Sequence, residues 1–91
     1  MTRNEIFTEL KNVIYKVQIL SGEKHFNIDE KIIPIGNLPG FDSLRAVETT
    51  IELGAALGCE IGGDINLFVS EDGKRALQLY EVVDRIYEQI K

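Results

Sequence analysis

The sequence predicts an all-α fold: a small four-helix bundle, three long helices and one short, with a long loop between the first and second. Three observations carry that expectation. Apolar residues recur at helical spacing in three separate stretches. Capping or stop residues bound these stretches, and no segment alternates long enough to read as a strand. Ninety-one residues suit one domain, expected to span 1–91.

The first helix is placed at 3–20. Ile6, Leu10, Val13, Val17 and Leu20 recur at spacings of four, three, four and three. Thr2 with Glu5 three residues on has the form of a capping box, and Ser21-Gly22 supplies the stop. Residues 21–41 show no sustained period and contain two prolines and three glycines. Their apolar side chains (Ile32, Ile33, Ile35 and Leu38) are expected to pin this stretch across the helices as a long, packed loop.

The second helix begins at Asp42-Ser43, with Asp42 as its cap, and Gly58 ends it. Its apolar stripe is Leu44, Val47, Ile51, Gly54 and Leu57, widened by Leu53 and Ala56. Gly54 costs about 1 kcal/mol relative to alanine inside a helix, so it marks a close approach by another part of the chain. Gly62-Gly63-Asp64 reads as a turn, and Ile65-Asn66-Leu67-Phe68 as a short third helix. The last helix is placed from about 72 to 90, on Ala76, Leu79, Val83, Ile86 and Ile90.

Charge separates the classes of function. Ten basic against fifteen acidic residues give a net charge of −5. Residues 1–41 carry five acids and five bases, so all of the excess lies in 42–91. Within 41–72, seven acids face one base, Arg45. Such a surface repels nucleic-acid phosphates and anionic lipid, and it suits basic protein partners. No apolar run approaches the roughly 18 residues of a membrane span, and Met1–Glu5 lacks an apolar signal stretch. A cytoplasmic monomer, with neither nucleic-acid partner nor membrane insertion, is expected.

Signs of catalysis are few. A chain this short has little room for a lined cleft of about 300–1,000 Å³. Gly40-Phe41-Asp42-Ser43-Leu44 is not a hydrolase elbow, and His25 is the sole candidate base, read as a solvated loop residue. Asp64, Asn66 and Phe68 break the calcium-loop pattern at its third ligand. One cysteine, Cys59, excludes an internal disulfide or cysteine-based zinc site and is expected to fill space. The chain is therefore not expected to be an enzyme, and no metal is expected.

One place is chemically distinctive. Ser43 lies at a helix start, beside free amides and the positive end of the helix dipole, where a phosphate ester would be stabilised. From Asp42 onward the sequence resembles the acyl carrier protein family. Asp42-Ser43-Leu44 matches that family's Asp-Ser-Leu, whose serine carries 4′-phosphopantetheine. Val47-Glu48 falls on its Val-Glu, Ile51, Leu53 and Leu57 on its apolar positions, and Glu60-Ile61 on a Glu-Ile after the turn. Leu38-Pro39-Gly40-Phe41 is similar to its approach to the serine, and Asn66-Leu67-Phe68 to its short third helix. The motif-level match is confined to about residues 38–61.

The resemblance implies a carrier of the fatty-acid, lipid or polyketide type, with 4′-phosphopantetheine on Ser43 holding an acyl group as a thioester. It implies a phosphopantetheinyl transferase and acyl-loading and acyl-transferring enzymes with basic patches as partners. Asp42, Leu44, Val47 and Glu48 are the implied partner contacts, with Arg45 tuning which partner fits. Leu44, Val47 and Ile51 are expected chiefly in the core, some also lining an acyl slot between the second and third helices. Two departures point to a specialised pathway. Arg45 stands where fatty-acid carriers usually have an acid, and Gly54-Ala55-Ala56 where they often have glutamates. A peptidyl or aminoacyl carrier is one alternative. A non-carrier acidic helical adaptor, bound by a basic partner, is another.

Overall fold

Thr2 accepts the Glu5 amide on its side chain while the Glu5 carboxylate accepts the Thr2 amide, and this reciprocal cap starts the first helix, α1 (Arg3–Leu20). Gly22 closes it at φ +82°, its amide donating to the Ile19 carbonyl at 3.0 Å. The computed structural model describes residues 1–22, 27–61 and 66–90. Among them three further helices follow: α2 (Pro34–Asn37), α3 (Ser43–Leu57) and α4 (Leu79–Ile90). None is long and apolar enough to cross a membrane.

The protein is mostly helical, as its periodicity predicts. α1 is the central element, packing against both α3 and α4. It buries Ile6, Leu10, Val13, Ile14 and Val17 into one cluster with Leu53, Leu67, Phe68, Leu79, Val82, Val83 and Ile86. Leu20 lies on the same stripe yet is 78% exposed.

The long loop is packed, as expected. Ile28, Leu38 and Phe41 are buried in the core, and Ile32 and Ile35 pack against it half-buried. Phe41 meets Phe68 with ring centroids 5.4 Å apart in a tilted arrangement. The loop's backbone also serves α4. The Leu79 and Tyr80 amides donate to the Ile32 and Glu30 carbonyls at 2.8 and 2.9 Å. These two N-terminal amides therefore find their partners in the loop. The short helix lies within this loop: α2 is one four-residue turn, with non-helical dihedrals at Ile35 and Gly36.

Two expected helical segments take other shapes. Residues 66–68 of the expected short helix form a turn, in which the Phe68 amide donates to Asn66 Oδ1 at 2.9 Å. Ile65 and the expected turn Gly62-Gly63-Asp64 lie outside the described residues. The last helix starts at Leu79, not near 72. Between them the chain doubles back: Ser70 N–H donates to the Arg75 carbonyl at 2.7 Å and Leu77 N–H to the Phe68 carbonyl at 2.9 Å. An isolated antiparallel bridge joins Val69 to Ala76. Asp72 Oδ1 accepts both Ser70 Oγ and the Lys74 amide, and Gly73 turns the corner at φ +74°. These local bonds use the amides and carbonyls that a helix would need.

Candidate functional site

Ser43 is the first residue of α3, and four features fix its approach. Leu38 and Phe41 are buried on either side of an exposed Pro39-Gly40, and Phe41 N–H donates to the Leu38 carbonyl at 3.1 Å. Gly40 takes φ +68°, a left-handed conformation that glycine adopts without strain. Asp42 then caps α3, its Oδ1 accepting the Arg45 amide at 2.9 Å. The Ser43 hydroxyl is left on the surface.

The structure buries a different face of α3 from the apolar stripe seen in the sequence. Ala46, Thr49, Thr50 and Leu53 face inward, whereas Leu44, Val47 and Ile51 are 67%, 45% and 66% exposed. The expectation that these three belong to the core is overturned. The reason is the small inner face: alanine and two threonines let α3 lie against α1. Each threonine hydroxyl donates to a carbonyl four residues back, Thr49 to Arg45 and Thr50 to Ala46, so neither leaves a buried polar group unmet. Larger branched side chains in that position would hold the helices apart.

Downstream of Ser43, then, runs a solvent-facing strip of Leu44, Val47 and Ile51 with exposed Glu48 on the same side. Glu52 borders it and pairs with Lys16 of α1, Nζ to Oε2, at 3.1 Å. Ile51, Glu48 and Glu52 share a groove of about 260 Å³ with Lys16, Val17, Leu20 and Ser21. Ile51 also borders an open groove over Thr50, Gly54, Ala55 and the 58–61 turn. Of the site residues expected from sequence, Asp42, Ser43, Leu44, Val47 and Glu48 are thus brought together on one exposed surface.

Arg45 is the exception. It is half-buried, and its guanidinium reaches back to Gln18 Oε1 at 2.8 Å and the Pro39 carbonyl at 3.3 Å. Gln18 is the functional neighbour that sequence reasoning missed. Its signal was its position four residues after Ile14, on the buried stripe of α1, where a polar side chain needs a partner.

The end of α3 confirms the close approach marked by Gly54. A Cβ at that position would sit 2.9 Å from the Cys59 carbonyl. The Cys59 amide donates to the Gly54 carbonyl and Gly58 N–H to that of Ala55, a left-handed closing turn with Gly58 at φ +73°. That turn leaves Cys59 exposed, so it is not the space-filling residue expected. His25 and Asp64 lie outside the described residues, and among those described no three His, Cys, Asp or Glu side chains are placed to hold a metal ion. No protein-family model, curated protein or solved structure matches this chain.

Proposed function

We propose that this chain is a carrier protein, holding an acyl cargo through 4′-phosphopantetheine esterified to Ser43. One observation carries the reading: an exposed serine at the start of a 15-residue helix, followed along that helix by an exposed strip of Leu44, Val47 and Ile51 with Glu48. An apolar strip left on the surface calls for a partner, and the adjacent carboxylate suits a basic one.

The residues around Ser43 fit the prosthetic group. Ser43 is exposed, and the Ser43 and Leu44 amides, in the first turn of α3, sit at its positive end, where amides have no acceptor four residues back within the helix. A phosphate ester on Ser43 Oγ is favoured there. When bound, the group supplies the thiol on which cargo rides as a thioester. The chain contributes the attachment oxygen, its presentation by the Asp42 cap, and the surface that partner enzymes recognise. Catalysis belongs to those enzymes.

The cargo is of the fatty-acid, lipid or polyketide kind, in a specialised pathway with dedicated partners. Two features support the specialised pathway and its dedicated partners. Ala55 and Ala56 leave the far end of α3's exposed surface uncharged, and Arg45 faces α1 instead of adding to the strip. The reading is tested by intact mass after incubation with coenzyme A and a promiscuous phosphopantetheinyl transferase, followed by peptide mapping. Gain of one phosphopantetheine on Ser43, absent in Ser43→Ala, supports it. An unchanged mass, with the transferase active on a control carrier, overturns it in favour of an adaptor that binds basic partners through the same face.

A further inference from the structure

Arg45 is the one base among the seven acids of 41–72, and its side chain is drawn into the molecule. Among the described residues, three groups meet there. Gln18 is 3% exposed and uses both ends of its amide: Nε2 donates to the Pro39 carbonyl at 2.9 Å, and Oε1 accepts from Arg45 Nη1 at 2.8 Å. Arg45 Nη1 also donates to that same Pro39 carbonyl, at 3.3 Å. The result is a closed triangle in which α1, the loop and the first turn of α3 each supply one member.

We propose that Arg45 is a positioning residue: with Gln18 it forms a polar latch on the Pro39 carbonyl that holds the approach to Ser43 in one conformation. The need for a latch follows from the neighbours. Leu38 and Phe41 are anchored in the core, but Pro39 and Gly40 between them are exposed, so packing does not restrain the middle of the segment. Gly40 is also the residue whose backbone is least restricted. A charge-assisted bond onto the Pro39 carbonyl removes that freedom, and Asp42 and Ser43 follow directly. An acid at position 45 could not do this, because Gln18 Oε1 and the Pro39 carbonyl are both acceptors. The latch also draws the positive charge of Arg45 off the outer face of α3, where Glu48 lies beside the apolar strip.

This inference deepens the carrier reading and rests on it for its kinetic consequence, but the latch itself can be measured on the unmodified protein. Arg45→Met and Gln18→Met keep side-chain bulk and remove the polar contacts. Amide hydrogen exchange at Phe41, Arg45 and Ala46 is expected to speed up about tenfold in both, the scale of losing one charge-assisted hydrogen bond. Amides in the middle of α4 should keep their wild-type rates. With the transferase, KM for the carrier is expected to rise about three- to tenfold with kcat retained, because only part of the population presents Ser43 correctly. Arg45→Lys should restore part of both properties, and the double methionine variant should be no worse than either single one. Wild-type exchange in Arg45→Met overturns the proposal. So does a kinetic loss in Arg45→Met that Gln18→Met does not share, since Arg45 would then be touching the transferase directly. If wild-type protein takes no phosphopantetheine, the carrier reading falls and exchange alone decides whether the latch holds the loop.

Discussion

The two faces of α3 invert the usual relation between hydrophobicity and burial. The inner face is Ala46, Thr49, Thr50 and Leu53; the outer is Leu44, Val47, Ile51 and Glu48. The larger branched side chains are on the outside. Close packing explains the inner face, since small residues admit a neighbouring helix and threonine hydroxyls can satisfy themselves on their own backbone. Stability offers no explanation for the outer face: an exposed apolar strip gains nothing by folding, and on the carrier reading proposed above it is the surface that partners contact. The inner face therefore holds α3 in place, while the outer face, with Ser43 at its head, is available for function.

The sharpest way to break this contrast is to shorten one leucine on each side. Leu53→Ala empties a buried position and is expected to cost about 2–5 kcal/mol in denaturant unfolding, a large share of what a small domain holds. Leu44→Ala, nine residues earlier in the same helix, is expected to shift stability by no more than about 0.5 kcal/mol. Its effect should appear instead as weaker binding to partner enzymes. Equal losses of stability would show that the two faces do not differ as described.

Gly54→Ala tests the closeness of packing at the helix end. Alanine raises helix propensity by about 1 kcal/mol, but its Cβ would lie 2.9 Å from the backbone carbonyl of Cys59. That carbonyl cannot swing aside as a side-chain tip could, so a net loss of about 1–2 kcal/mol is expected. A gain in melting temperature would mean that the turn yields easily.

Asp42→Ala acts at the other end. Loss of the cap on Arg45 N–H is expected to cost about 1 kcal/mol in thermal or denaturant unfolding, and it should slow modification of Ser43 in a mass-resolved time course.

Acid provides the mildest test. A guanidinium bond from Arg75 holds the Glu81 carboxyl below its ordinary value, the Thr2 backbone amide does so for Glu5, and the Ser70 hydroxyl for Asp72. Each binds protons more weakly folded than unfolded, so its contribution is present above the ordinary carboxylate value. It is lost as pH falls through the lowered folded one. Unfolding curves should therefore weaken on acidification through that window, with Glu81→Gln flattening part of the slope.

Much of this was legible from residue order, where the deciding forces are local. Thr2 with Glu5, Ser21-Gly22, Asp42 and Gly58 placed both ends of α1 and α3, because caps act within three or four residues. Gly54 announced its close contact by its cost. Ser43 and its neighbours were visible as a motif. Other features were hidden for a common reason: more than one structure shared a pattern. Ala76 and Leu79 suit a helix, but equally a hairpin arm leading into one, and the bonds of Asp72 and Gly73 chose the latter. α3 carries two stripes of helical period, and periodicity cannot rank them.

The amino-acid order by itself determined the helical class, the bounds of α1 and α3, the packed character of the loop and the acidic bias of 42–91. Tertiary structure alone decided which stripe of α3 is buried, where α4 begins and which way Arg45 points. Each of those outcomes depends on groups far apart in sequence: Gln18 with Arg45, Ile32 with Leu79, α1 with the small face of α3. Propensity and capping act over a few residues, whereas the choice between two faces of one helix is made only when another part of the chain fits one of them.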